Sequence, residues 1–517
     1  MTALFTAAPS YCSRIGVAIL LAALADFLFY GQPVGITVFL FALLIAAAVV
    51  AVHPAAFSDG RVWLKPAALL VALLPLAENV SALSVSTALA ALAVFALSLS
   101  GRLRHGIARI AGQIALFGLA TPFRFASDFI RWRKTARRFG RRRVRLAAIA
   151  VWVMPLTLGA VFLALFGAAN PVIDYWLSLI DLLKLLDLIQ LARIAFWLFV
   201  VAGVWAFLRP RLPRLPRLVR RIPRAGSAGI GVQADKAATV EDILFGKAAI
   251  FRALIVFNLL FALQTALDTA YLWGGAALPD GLSYASYAHR GAYPLVVTAL
   301  LAAGFVLAAL RPGSETSADP LIRRLVYAWV AQNIMLVISS ILRLDLYIGI
   351  YALTYWRVAA FVWMGLVASG LALIIARIAL GKSNEWLLSA NLLTLSLTLY
   401  AACFINFAAT IANYNVDHSL EMTGQGISLD AWYLRSLGPG AFPALDRFFE
   451  HQGKTAAAND PVLRQLAGLH GSDEGWYRIL QQNWRSWSFR DWRLLRYLDT
   501  RGPFVVPDPV EPSMPGR

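Results

Sequence analysis

Read from its N-terminus, the chain is a series of apolar runs separated by short polar punctuation. A membrane-crossing helix needs roughly 17 to 25 mostly apolar residues. Four runs of this kind follow closely on one another, near Ile15–Tyr30, Val34–Val52, Lys65–Leu76 and Leu83–Ser100, the third being the shortest. Ile110–Phe123 is apolar but short and flanked by arginines, which predicts an interfacial or re-entrant helix rather than a span. Further spans are predicted over Leu146–Gly167, Leu191–Leu208, Ala248–Leu272, Leu295–Leu310, Leu325–Leu342, Trp356–Ala376 and Leu387–Ile411. The pattern predicts an all-α, polytopic bundle of about 11 spans.

Two stretches depart from the apolar pattern within this series. Between Pro171 and Gln190, Asp174, Asp181 and Lys184 fall on one helical stripe and Trp176, Leu179, Leu183 and Leu186 on another, as in an amphipathic helix lying in the outer interface. Arg209–Gly231, RPRLPRLPRLVRRIPRAGSAGIG, is rich in proline and then in glycine and serine, which forbids a regular helix and predicts a tether. Four parts follow: an N-terminal membrane half (1–208), a cytoplasmic linker (209–247), a C-terminal membrane half (248–411) and a tail (412–517). The tail reads as helical and extramembrane, its helical spacing broken at Gly438-Pro439-Gly440. Trp476, Trp484, Trp487 and Trp492 are read there as core and interface side chains, the alternative being an aromatic belt at the outer membrane boundary.

Charge adds orientation. Of 47 Lys and Arg and 28 Asp and Glu, the tail holds 11 and 12, so the tail is net −1 and the membrane part carries a basic excess of +20, against +19 for the whole chain. There it gathers in short loops around Arg61, Arg102, Arg104, Arg109, Arg311, Arg323 and Lys382, the pattern of cytoplasmic loops, and this argues against nucleic acid as its partner. The expected topology has the N-terminus in the cytoplasm and the tail in the periplasm, in the inner membrane of a bacterium. The first run lacks a convincing cleavage site and is read as a retained helix. Arg124–Arg145 is the most basic stretch, and Arg133, Lys134, Arg137, Arg138, Arg141, Arg142 and Arg143 are the expected contacts with an anionic leaflet. With 59% hydrophobic and 15% charged residues and a mean hydropathy of +0.66, the chain is too apolar for a soluble protein.

Candidate chemistry is sparse. Cys12 and Cys403 offer neither a disulfide framework nor metal spacing, and no P-loop, HExxH, CxxC or GxSxG pattern occurs; no cofactor and no metal are expected. Polar residues do interrupt the membrane segments: Asn258, Gln264 and Asp268 on one predicted helix, Gln332 and Asn333 on another. Under the expected topology Asp268, His289, Arg290, Arg343, Asp345 and Asn413 arrive on the outer face as a candidate binding cluster. A pair such as Asp268 with Arg343 would relieve the cost of burying either charge, whereas intramembrane amides also serve simply to join helices.

The stretches FRALIVFNLLFALQTALDTAYLWGG, SYAHRGAYPL, LVYAWVAQNIMLVISSILRLDLY and NYNVDHS followed by LDAWYLRSLGPGAFPAL resemble the bacterial multi-pass membrane family known as domain of unknown function 4173, close to the 4153 group. The resemblance covers about Phe251 to Leu445 and implies an inner-membrane protein without an established activity. Three functions stay open: a non-enzymatic scaffold or sensor whose tail meets a protein partner, a transporter using Asp268, Arg343 and Asp345, and an enzyme on lipid-linked envelope substrates with His289 or Asp268 as base.

Overall fold

The structure is a computed structural model that describes residues 11–54, 63–104, 106–138, 190–211, 246–274 and 319–504, with isolated positions at 154–155, 158–159, 162–163, 297–298, 301 and 304–305. Among the described residues it is helical, with no strand. Among the described residues, six helices are long and apolar enough to cross a membrane, or seven if one bent pair counts as a single span. The expected crossings at Leu146–Gly167 and Leu295–Leu310 fall almost wholly outside the described residues, so the count of about 11 rests on sequence alone. Two compact units are formed, residues 1–76, 85–104 and 112–215 in one, and 77–84, 105–111 and 216–517 in the other.

The first unit is built on α1 (Tyr11–Phe29), α2 (Ile36–Val52), α3 (Leu64–Glu78), α4 (Ala82–Leu99), α5 (Ile107–Arg138) and α6 (Leu191–Leu208), the end of α3 and the first residues of α4 and α5 belonging to the second unit. Its core mixes alanines with larger side chains: Ala22, Ala25, Ala46, Val49, Leu73, Ala96, Trp205 and Leu208 are buried. Small residues let membrane helices approach closely, where dispersion and not the hydrophobic effect holds them together. Asp26 of α1 adds a polar tie: Arg193 of α6 binds its carboxylate with both ends of the guanidinium and Trp197 Nε1 donates to it at 2.9 Å. α3 has only 15 residues and contains Pro75, and α2 has 17; neither reaches the length of the six. The separate short helix expected at Ile110–Phe123 is instead the beginning of α5, one helix of 32 residues that runs on into the basic stretch. Its apolar and basic positions share a single amphipathic helix, and it is not among the spanning candidates.

The second unit begins with α7 (Lys247–Asp268), followed without interruption by a π-helical turn, Thr269–Trp273. α8 (Pro320–Tyr351) starts at a cap in which the Asp319 carboxylate accepts from the amides of Leu321 at 2.8 Å and Ile322 at 3.3 Å. α9 (Tyr355–Ala379) and α10 (Asn384–Ala402) follow. The predicted crossing Leu387–Ile411 is not one straight helix, because α10 and α11 (Phe407–Asp417) meet at a bend of 70°. Asn406 starts α11 afresh, its side chain accepting from the amide of Ala409 at 3.2 Å.

The tail consists of α12 (Leu420–Thr423), α13 (Ala431–Ser436), α14 (Phe442–Asn459), α15 (Pro461–Gln481) and α16 (Phe489–Arg501), with 3-10 turns at Gly438–Ala441 and Trp484–Ser486. Part of its core is shared. Phe442, Tyr477 and Leu498 form a small cluster within the tail, whereas Leu434, Ala441, Leu445, Phe448 and Leu466 pack with Ile348 near the end of α8, Leu353 just beyond it, and Ile411, Ala412 and Val416 of α11.

Candidate functional site

Asp268 is the last residue of α7, and Arg343 lies two turns before the end of α8. Their side chains are 1% and 4% exposed and form a direct ion pair, and Gln264 Nε2 donates to the same Asp268 oxygen at 2.9 Å. A carboxylate and a guanidinium withdrawn from water together lose several kcal/mol of hydration each, which their mutual attraction must offset. The pair forms where α7 passes into its π turn, a conformation that widens the helix by one residue and often accompanies functional sites. Nearly three turns nearer the start of α7, Asn258 Nδ2 donates to the Leu254 carbonyl at 2.8 Å and across to the Leu325 carbonyl of α8 at 3.1 Å. The latter bond joins the two helices, as the helix-joining reading of these amides expects. Asn333 is fully buried in α8 and donates within its own helix to Trp329.

Of the remaining predicted cluster residues, Asp345 and Asn413 are described, and no contact joins either to this pair. Asp345 is exposed on α8. Asn413 lies on α11 and accepts from Arg447 of α14 at 2.9 Å; Arg447 also pairs with Asp417 at 3.1 Å. Its engagement is thus with the tail. The reason is the bend after Ala402, which turns α11 out of the direction of α10. His289 and Arg290 lie outside the described residues, as do Arg141, Arg142 and Arg143; Arg133, Lys134, Arg137 and Arg138 lie on the last turns of α5, where only the backbone is described.

Three sites of tight polar contact hold the tail. Asn415 of α11 pairs reciprocally with Leu353, its Oδ1 accepting from the amide at 2.7 Å and its Nδ2 donating to the carbonyl at 2.9 Å. The residue before Leu353 is Ala352, at φ +63°, a conformation that costs a residue with a Cβ on the order of 1–3 kcal/mol and persists only where the surroundings impose it. Arg490 of α16 donates to the carbonyls of Cys403 at 3.3 Å and Ile405 at 3.2 Å, which the bend leaves without helical partners. Arg490 and Arg493 also pair with Glu78, a nearly buried carboxylate of the 77–84 segment.

The third site is inside the tail. Asp446 of α14 accepts from His470 Nε2 of α15 at 2.8 Å and from the Tyr497 hydroxyl of α16 at 3.0 Å, and pairs with Arg501 at 3.1 Å. Arg501 also reaches Glu474, which accepts from Arg478 at 2.9 Å. One carboxylate therefore ties three helices. Burial, with Asp446 beside it, pushes the Tyr497 hydroxyl well above its ordinary range, so it stays a neutral donor. His470 is enclosed by Phe442, Phe449 and Phe504 and is one wall of a cavity of about 450 Å³. These residues escaped the sequence reading, although His470 and Glu474 four apart on an otherwise apolar helical face are a signal of burial with partners. The four tail tryptophans correct the core reading: Trp476 is 63% and Trp484 50% exposed, and Trp487 and Trp492 are also on the surface. They are packed by arginine, Arg485 over Trp484 and Arg496 over Trp492. Phe442, Leu445, Phe448 and Phe449 of α14, with Leu434, Leu466, Tyr477 and Leu498, occupy the tail's interior, and the indoles lie outside it.

A family model of a domain of unknown function, DUF4153, matches residues 64–448. The chain belongs to the DUF4153 family. The match begins well before the Phe251–Leu445 stretch on which the resemblance was read and takes in much of the first unit; the family shown is 4153. It includes Asp268, Arg343, Ala352 and α11, and it ends within α14, so that most of the Asp446 network of this DUF4153 protein lies beyond it. No curated protein and no solved structure matches the chain. Together with its apolar helices, the family describes an uncharacterised membrane protein.

Proposed function

We propose that this DUF4153 protein is a non-enzymatic scaffold or sensor of the bacterial inner membrane, with its N-terminus in the cytoplasm and its tail in the periplasm. It meets anionic lipid through the basic residues that begin on α5, and a protein partner through the tail. One observation carries this reading: the tail shares its core with α8 and α11. A domain built in this way moves with the membrane helices or not at all, so a partner bound to its exposed indoles acts directly on α8 and α11. Photo-crosslinking from Trp432 or Trp476 in native membranes is expected to capture a specific protein. Failure to capture one, together with turnover of a substrate by the purified chain, would reject the proposal. The orientation has its own test: a phosphatase active only outside the cytoplasm should work when fused after Asp417 and be silent after Arg217, and the reverse result inverts the topology.

A second reading, transport of a small solute, is favoured by the bent pair α10 and α11 together with the buried charges of Asp268 and Arg343, since discontinuous helices and buried ion pairs recur at transport sites. A deletion strain with unchanged uptake and efflux across a broad solute panel would exclude it.

A further inference from the structure

The first unit contains an arginine-lined cavity that the tail reading does not use. About 1200 Å³ in volume, it lies between the 102–104 loop, the middle of α5 and the residues after α6, and five arginines reach it: Arg102, Arg104, Arg124, Arg131 and Arg211. Among the described residues that line it, the one carboxylate is Asp128. That carboxylate is already engaged, paired with Arg209 at 3.3 Å and Arg211 at 3.4 Å and accepting from Trp205 Nε1 at 3.3 Å. The loop is held in place from below, Gln113 donating to the Arg102 carbonyl and accepting from the Arg104 amide, both at 3.0 Å.

Arg124 is the decisive residue. It is 7% exposed, and among the described residues neither terminal nitrogen of its guanidinium has a hydrogen-bond partner. Its plane is instead set by Phe117, whose ring centroid is 4.3 Å away. Burial, reinforced by the nearby Arg102 charge and only partly offset by Asp128, pushes the Arg124 guanidinium down to about 10. A buried cation with idle donors, inside a wall of like charge, is an arrangement that an anion would complete. The other wall of the cavity is apolar: Leu116, Leu119 and Phe123, spaced three and four apart on α5, with Leu119 and Phe123 strongly exposed.

We propose that this cavity binds a phosphate group, its oxygens on Arg124, Arg104 and Arg102, and that the apolar side of α5 receives the hydrocarbon of the molecule that carries it. The phosphate belongs to a lipid headgroup or to a soluble phosphate, and the two are separable. Full-length protein in detergent is titrated with inorganic phosphate and, separately, with mixed micelles containing phosphatidic acid or phosphatidylcholine, and its melting temperature is followed, since a ligand that binds only the folded state raises it. Phosphatidic acid is expected to raise the midpoint and phosphatidylcholine to leave it unchanged. Arg124→Gln and Arg104→Gln are each expected to weaken the response roughly tenfold, the loss of one charge-assisted hydrogen bond, and Arg324→Gln, at an exposed position of the other unit, to leave it intact. A response of the same Arg124 dependence to inorganic phosphate alone assigns the site to a soluble ligand. Should Arg124→Gln fail to fold, Arg104→Gln, on the surface, decides. The proposal is overturned if neither ligand shifts the midpoint, or if the shift survives both substitutions and disappears with Arg137→Gln and Arg138→Gln, which would mean diffuse attraction to α5. None of these outcomes depends on what the tail binds.

Discussion

Asp268 and Arg343 each cost the fold dearly without the other. Removing one member of a buried pair leaves an uncompensated charge, typically costing about 3–5 kcal/mol, whereas replacing both by apolar residues of similar volume is often neutral. Asp268→Leu and Arg343→Met are therefore each expected to lower the melting temperature of the purified protein sharply, and the double variant to recover most of the loss. Equal damage from the double variant would show that the pair is not what stabilises the α7–α8 contact. Ala352 offers the opposite sign. At φ +63° its Cβ is the source of strain, and relief of that strain outweighs the added freedom of the unfolded chain, so Ala352→Gly should stabilise by about 1 kcal/mol. A melting temperature that falls would show that the turn between α8 and α9 is comfortable as it is. The charges of this pair were legible in the sequence because they interrupt apolar runs. Their pairing was inferable from cost alone, while the π turn and the Gln264 bond were not.

Among the elements, the bend between α10 and α11 decides most. Two features hold it: the cap of Asn406 and the close seating of the 3-10 turn against the start of α11. A Cβ added at Gly440 would stand 2.8 Å from Ala408 Cβ and 3.2 Å from Asn406 Oδ1. Gly440→Ala is accordingly expected to push the turn off α11 at a cost of about 1–3 kcal/mol, and Asn406→Ala to cost about 1 kcal/mol through the lost cap. Thermal melts of the two variants check both, and an unchanged midpoint for Gly440→Ala would mean that the turn can shift freely. The sequence reading carried one apolar run from Leu387 to Ile411 because overall composition hardly changes across the bend; Asn406 caps it locally, while the 3-10 turn seated against it arrives from farther along the chain. α5 errs in the other direction. Composition changes sharply at Arg124, yet the backbone continues as helix through both halves, since neither an apolar nor a basic stretch by itself ends a helix.

At the scale of the whole molecule, the tail is a dependent part of its unit. Residues 418–517 expressed alone lack Ile348, Leu353, Ile411 and Val416 from their core and are expected to be largely unfolded by circular dichroism and rapidly digested by protease. A stable, cooperatively melting fragment would contradict the shared core. Within the full chain, Arg490→Ala with Arg493→Ala leaves Glu78 buried and the carbonyls of Cys403 and Ile405 open, and cleavage by a limited dose of protease should then increase in the segment between α11 and α13. Glu78→Gln, which removes the charge but keeps the shape, should be milder than the double arginine variant.

Sequence by itself determined that this chain is a helical membrane protein, because length and apolarity of a run answer to the thickness of a bilayer and to nothing else in the molecule. It also marked which polar residues would need partners. Tertiary structure alone decided who those partners are: Asp268 with Arg343, Glu78 with Arg490 and Arg493, Asp446 with His470, Tyr497 and Arg501. It likewise turned the tail tryptophans outward and drew Asn413 toward Arg447. The physical reason is one of range. Hydrophobic transfer is additive over neighbouring residues and can be summed along a chain, whereas an ion pair or a helix bend depends on groups dozens or hundreds of residues apart, which only the packed fold brings within a few ångströms.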